Sequence, residues 1–135
     1  MYQKIIVVGN LGGDPEMRYM PNGNAVTNFN MATSRSWNDP NTGQRVEKTV
    51  WFRVSAWGRL AETTNQYLSK GKKVLVEGRM EESKPFQRQD GTWSASLNLT
   101  AETVQFLSSG RDESAEGGVD YGQPAQSGGN DDIPF

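Results

Sequence analysis

Neither cysteine nor histidine occurs among the 135 residues of this chain. Without cysteine there are no disulfides and no thiolate metal sites. With histidine missing as well, zinc hydrolysis, Ser-His-Asp chemistry and Cys-His chemistry all lack their parts. Carboxylates remain for acid-base work, and the most visible pair is Glu81-Glu82. Neighbours on a strand point to opposite faces, so these two do not share a proton or a metal ion and read as solvated charges. A nuclease relying on Glu81 is the remote enzymatic alternative; the expectation is a chain that is not an enzyme and carries no cofactor or metal. Long apolar runs are also lacking. Ile5 to Val8 is too short for a signal-peptide core or a membrane span, so an intracellular soluble protein is expected.

The charge is unevenly placed. Residues 1–110 carry thirteen Lys/Arg against ten Asp/Glu, a balance of +3, whereas residues 111–135 carry one Arg against six acids, a balance of −5; together they make the net −2 of the whole chain. A basic body thus precedes an acidic tail. The tail's Gly/Ser/Gln/Asp composition buries too little apolar surface to offset its ordering entropy, which predicts a disordered linker over 108–130. It leads to Asp131, Asp132, Ile133, Pro134 and Phe135, an acidic and apolar peptide with no core to enter. A basic rim would take the acids and a pocket the Phe135 ring, with Pro134 restricting the backbone before binding.

The first 107 residues read as short strands separated by turns. Ile5-Ile6-Val7-Val8 is β-branched and ends in a glycine-rich bend, which lacks the Lys-Ser/Thr and following helix of a phosphate loop. After a loop through Pro15, Ala25 to Thr33 alternates, with Phe29 and Met31 opposite Asn28 and Asn30. A third strand sets Val50, Phe52, Val54 and Ala56 against Trp51, Arg53, Ser55 and Trp57. Leu60, Ala61, Thr64, Tyr67 and Leu68 recur at helical spacing, with Gly71 suited to the C′ position. A fourth strand covers about 73–82. Asp90-Gly91 marks a hairpin into a fifth, where Ala95, Leu97, Leu99 and Ala101 form one face. Three strands, a helix and two strands is the element order of the OB-fold, a five-stranded Greek-key barrel in an all-β class. An SH3-like barrel or a small α+β sandwich is also compatible with this order.

The polar-aromatic face of the third strand carries Trp51, Arg53 and Trp57, with Arg35 and Trp37 just before the preceding turn cluster. Aromatics interleaved with guanidinium groups suit single-stranded nucleic acid, whose bases stack and whose phosphates pair with cations. Tryptophan also fills cores and subunit interfaces, but the opposite face of this strand already supplies Val, Phe and Val for a core. Lys70-Gly-Lys72-Lys73 at a helix-to-strand junction and Lys84-Pro-Phe86-Gln-Arg88 at a hairpin add cations and a fourth aromatic, Phe86; Lys4, Arg18 and Arg59 are further cations of the body.

These residues resemble a known family. Asn10-Leu-Gly-Gly-Asp14-Pro-Glu-Met-Arg18-Tyr-Met-Pro-Asn-Gly23, Ala32-Thr-Ser-Arg-Ser-Trp37, Thr49-Val-Trp-Phe-Arg-Val54, Gly58-Arg-Leu-Ala-Glu62, Tyr67-Leu-Ser-Lys-Gly71 and the terminal Asp-Asp-Ile-Pro-Phe are similar to the bacterial-type single-stranded DNA-binding proteins. The resemblance covers residues 1–107 and the last five. It implies an OB-fold domain over 1–107, assembled as a homotetramer, that binds single-stranded DNA without catalysis in replication, recombination, repair and the SOS response. It further implies a nucleoid-associated location in a bacterial cytoplasm or phage origin, and capture of helicases, nucleases and polymerase subunits by residues 131–135. Trp37, Trp51, Trp57 and Phe86 match its base-stacking positions, and Lys4, Arg18, Arg53, Arg59, Lys70 and Lys84 its basic ones. The hairpin departs from the family pattern: Glu81 and Ser83 replace frequent basic residues, and Pro85 precedes the aromatic. The alternative of another class is a replication-restart-type adaptor, whose barrel binds a replication protein more tightly than DNA.

Overall fold

In the computed structural model, which describes residues 1–107, strand β1 (Ile5–Leu11) runs antiparallel to β5 (Lys73–Met80), with Ile5 opposite Gly78 and Asn10 opposite Lys73. At its end β1 turns onto β3 (Ala25–Asn38), pairing Asn10 with Ala32 and Leu11 with Met31. The strand can cross there because Gly9 has no side chain: a Cβ on it would lie 2.2 Å from the carbonyl oxygen of Ala32. This crossing closes the barrel.

The chain then continues along β3 as β2 (Glu16–Tyr19), a short strand in the stretch expected to be loop. Met31 is opposite Leu11 and Asn28 opposite Glu16, so the residues between Leu11 and Glu16 bulge outward from one bent strand. Glu16, Met17, Arg18 and Tyr19, with a single aliphatic side chain among charged and aromatic ones, gave no period-2 signal for β2; its pairing with β3 makes it a strand.

β4 (Arg45–Trp57) pairs with β3 throughout and, in parallel, with β8 (Asn98–Phe106) at Arg53–Asn98 to Ser55–Thr100. β8 returns antiparallel to β5, completing the sheet order β1-β5-β8-β4-β3-β2. With β1 and β2 as one bent strand this is the expected five-stranded OB-type barrel. The fifth strand begins later than the alternation suggested. Trp93–Ala95 is β7, which pairs with β6 (Pro85–Gln87) in a separate ribbon, and Leu97 is exposed before the barrel strand starts.

Met31, Val54, Val74, Val76 and Leu99 are fully buried at the centre of the barrel. Helix α1 (Arg59–Tyr67) covers one end with Ala61 and Thr64, and Thr27 Oγ1 donates to the Ala61 carbonyl oxygen at 2.6 Å. One apolar expectation gives way here. Tyr67 is exposed and stands 6.0 Å from the Phe106 ring centre instead of joining the core, while Leu68, leaving the helix in extended conformation, is buried. Gly71 therefore stands beyond the helix end, in a turn with φ 89°, where its N–H donates to the Leu11 carbonyl oxygen. Residues 108–130 and 131–135, the expected linker and terminal peptide, lie outside the described residues.

Candidate nucleic-acid interface

β3 and β4 keep one register from Val26–Trp57 to Asn38–Arg45, and they are longer than the barrel needs. Their barrel halves back onto the core at Phe29, Met31 and Val54. Beyond Thr33 and Val50 they run on as a two-stranded arm, closed by a turn in which the Asp39 N–H donates to the Gln44 carbonyl oxygen. Val50, expected on the core face, is consequently exposed, because no barrel remains beneath it.

Register places partner residues on a common side of the sheet. On the outward side three cross-strand rows follow: Arg18, Val26 and Trp57; Glu16, Asn28 and Ser55; then Asn30 and Arg53, with Ala32 and Trp51 next along the pair. Arg18 is thus brought into line with Trp57 by β2, a neighbourhood that no spacing within the sequence announces. Trp51 and Trp57 remain 54% and 45% exposed, which leaves ring surface available for stacking. Between them Ser55 Oγ and Asn28 Oδ1 are joined at 2.6 Å.

Asn28, Asn30, Arg53 and Trp51 of this surface lie on the floor of a trough made of two hollows. Asp14, Pro15 and Glu16 of the outward bulge line one side together with Asn30 and Arg53. Phe86, Arg88 and the Ser94–Leu97 stretch line a second hollow with Trp51 and the same Asn30 and Arg53, so the two hollows adjoin at these two residues. Phe86 lies on the ribbon's flank opposite Ser94, not at its tip, and Arg88 Nη2 donates to Ser94 Oγ at 2.9 Å, setting guanidinium and ring on one side. The tip is the turn Arg88–Thr92. There the Asp90 carboxylate accepts from Thr92 Oγ1 at 2.7 Å and from the Thr92 N–H at 2.9 Å, and these two bonds hold its pKa below the ordinary value.

Strand pleating divides what the sequence presented as one constellation. Arg35 pairs with Lys48 and Trp37 with Val46, which puts them on the opposite side of the arm from Trp51. Arg35 lies 4.9 Å from the Trp37 ring centre, and a shallow hollow there is lined by Thr33, Ser34, Arg35, Lys48 and Val50.

The remaining cations fall into separate settings. Lys70, Lys72 and Lys73 adjoin the bend after β1: the Lys70 N–H donates to Asp14 Oδ1, the Lys72 carbonyl oxygen accepts from the Leu11 N–H, and Lys73 pairs with Asn10. Arg59 opens α1, and Lys84 directly precedes β6. Lys4 stands on the β5–β8 side, paired with Glu77 at 3.7 Å and Glu102 at 3.5 Å, and Arg79 extends the network to Glu102 and Glu81. Tyr2, ahead of the bond and charge of Glu102 and the charge of Glu77, holds the Lys4 ammonium above its usual pKa, against a smaller opposing effect of burial.

Sequence reasoning passed over Asn28 and Asn30 as merely the polar side of a strand, although they form the trough floor. It also passed over Trp93. That side chain is 68% exposed on β7, paired with Gln87 and pleated away from Phe86, and its only sequence signal is an aromatic just after the Asp90-Gly91 turn. Among the described residues no helix is long and apolar enough to cross a membrane.

Comparison with known proteins agrees with this geometry. A family model described as the single-strand binding protein family matches residues 2–107. Proteins named single-stranded DNA-binding protein from Neisseria meningitidis serogroups A and B are each 48% identical over 118 residues, 87% of this chain and 66% of theirs. The chain thus spans about two thirds of the length of these relatives. A solved Plasmodium falciparum SSB in complex with single-stranded DNA is similar in fold, with a TM-score of 0.66 and 25% identity over 80% of this chain and 96% of that one.

Proposed function

Because the chain belongs to the single-strand binding protein family, we propose that it binds single-stranded DNA without sequence preference and without catalysis, protecting the strand during replication, recombination and repair. The observation that carries this reading is the trough, in which Trp51 and Phe86 offer ring surface beside Arg53 and Arg88. Bases stack on the rings, phosphates pair with the guanidinium groups, and neither contact depends strongly on base identity. Arg18 and Trp57 extend the path along the sheet. Arg35, Trp37 and the arm take the strand on the other side of the pleat, while Arg59, Lys70, Lys72, Lys73 and Lys84 serve as outlying phosphate partners. Lys4 is left out of this path because it stands paired with Glu77 and Glu102.

The assembly we propose is a homotetramer in the cytoplasm. Its support is the apolar outer side of β1, where Ile6 is 57% and Val8 47% exposed. Residues 131–135 recruit DNA-metabolism enzymes in this reading, on the acidic-apolar chemistry of their sequence alone.

Titration of intrinsic tryptophan fluorescence with an unstructured oligothymidylate tests the proposal. Strong quenching is expected, with affinity falling as salt rises; Trp51→Ala and Phe86→Ala should each weaken binding by about 1–3 kcal/mol. An absence of quenching at low salt would overturn the reading and favour the adaptor alternative.

A further inference from the structure

Trp51 does not stand free on the sheet. The benzo part of its indole lies against Gly12, so closely that a Cβ there would be 2.4 Å from Cζ3 and 2.7 Å from Cη2. Any side chain at this position must displace either the ring or the backbone. The backbone is pinned: Leu11 pairs with Met31 where the barrel closes, the Leu11 N–H donates to the Lys72 carbonyl oxygen at 2.9 Å, and the Gly12 N–H donates to the Asn30 carbonyl oxygen at 2.9 Å. The ring, half exposed, can swing. Nor is Gly12 there for backbone freedom, since it is not among the glycines with positive φ. Its neighbour Gly13 offers the contrast, because a Cβ at that position meets nothing within 4 Å.

The geometry points to Gly12 as a positioning residue for DNA: its bare Cα is the seat on which the Trp51 indole rests, fixing the plane that the ring offers to a base. A stacking platform held in place loses less entropy on binding than one that must be ordered by the base. This inference rests on Trp51 acting as a stacking platform, the reading proposed above.

Gly12→Ala, Trp51→Phe and the two substitutions together provide the test, with affinity read from the anisotropy of a labelled oligothymidylate and ring placement from the Trp51 indole N–H resonance. Phenylalanine lacks the fused ring that reaches Gly12. Gly12→Ala should weaken binding roughly fivefold or more and move the indole resonance, whereas Gly13→Ala should leave that resonance in place. In the Trp51→Phe background Gly12→Ala should cost nothing further. An unmoved resonance, an unchanged affinity, or an equal loss in the Trp51→Phe background would each overturn the inference. If Gly12→Ala alone does not fold, the double variant decides: folding restored by Trp51→Phe supports the seat, and failure in both overturns it. Should the native chain not bind the oligonucleotide, the DNA-binding reading falls, and the resonance still decides whether Gly12 seats the ring.

Discussion

Arg35 holds its guanidinium 4.9 Å from the centre of the Trp37 ring, two residues along one strand and on the same side of the pleat. The cation covers part of a ring whose exposure is 38%. An exposed pair of this kind is worth about 0.5–1 kcal/mol, little enough for a base to compete for the ring while the guanidinium turns to a phosphate.

Removal of both groups should therefore cost more than the sum of the single losses, because each single substitution also removes the pair that binding has to break. Trp37→Ala is expected to weaken oligothymidylate binding by about 1–3 kcal/mol, and Arg35→Ala by less. A double-mutant cycle on binding free energy measures the coupling; strict additivity would mean that the two act separately.

Salt dependence separates the paired cation from the trough cation. Each phosphate contact with a single strand contributes about 0.7 to the slope of log K against log salt. Arg53→Met should reduce the slope by about that amount, while Lys4→Met, which breaks pairs with Glu77 and Glu102, should leave it nearly unchanged. Equal slope changes would put Lys4 on the DNA path.

The bond from Thr27 Oγ1 to the Ala61 carbonyl oxygen ties the barrel to its helix inside the protein. Thr27→Val keeps the shape and removes the donor, so a loss of about 1 kcal/mol is expected. The loss is not larger because the Ala61 carbonyl stays within reach of the Thr64 hydroxyl at 3.1 Å, whose single proton it shares with the Leu60 carbonyl oxygen at 2.9 Å. Urea unfolding of the native chain and of the Thr27→Val variant gives the difference; equal stabilities would mean that the bond contributes nothing net.

The hairpin turn should loosen in acid. Asp90 has its pKa lowered by the bonds from Thr92, so the stabilisation is present above the ordinary carboxylate range and disappears as pH falls through the depressed folded value. The Thr92 amide resonance, followed downward in pH, should shift and broaden with the carboxylate titration. An amide unaffected through that titration would show that the carboxylate does not hold the turn.

Much of the fold was legible in the chain because period-2 patterns are local. Alternation on β4 separated Val54 and Ala56, which are buried, from Trp51 and Trp57, which are exposed. It misjudged Val50, since burial requires something underneath and the strand outruns the barrel there. Helical spacing located α1 but misjudged Tyr67, because the end of a short helix is oriented by where the chain must go next; here Leu68 is drawn into the core. β2 left no pattern at all, having only its pairing with β3 to define it.

The sequence by itself determined the chemistry available: no thiol or imidazole for catalysis, a basic body with an acidic tail, and rings alternating with guanidinium groups on one strand. Which of those groups stand together was decided by the tertiary structure. Register between distant strands brought Arg18 into one row with Trp57 across Val26, put Trp37 across the pleat from Trp51, placed Phe86 on the far side of the trough and gave Lys4 to two glutamates. The physical reason is that side-chain alternation is set within a strand, whereas the partner across a sheet is set by closure of the whole barrel.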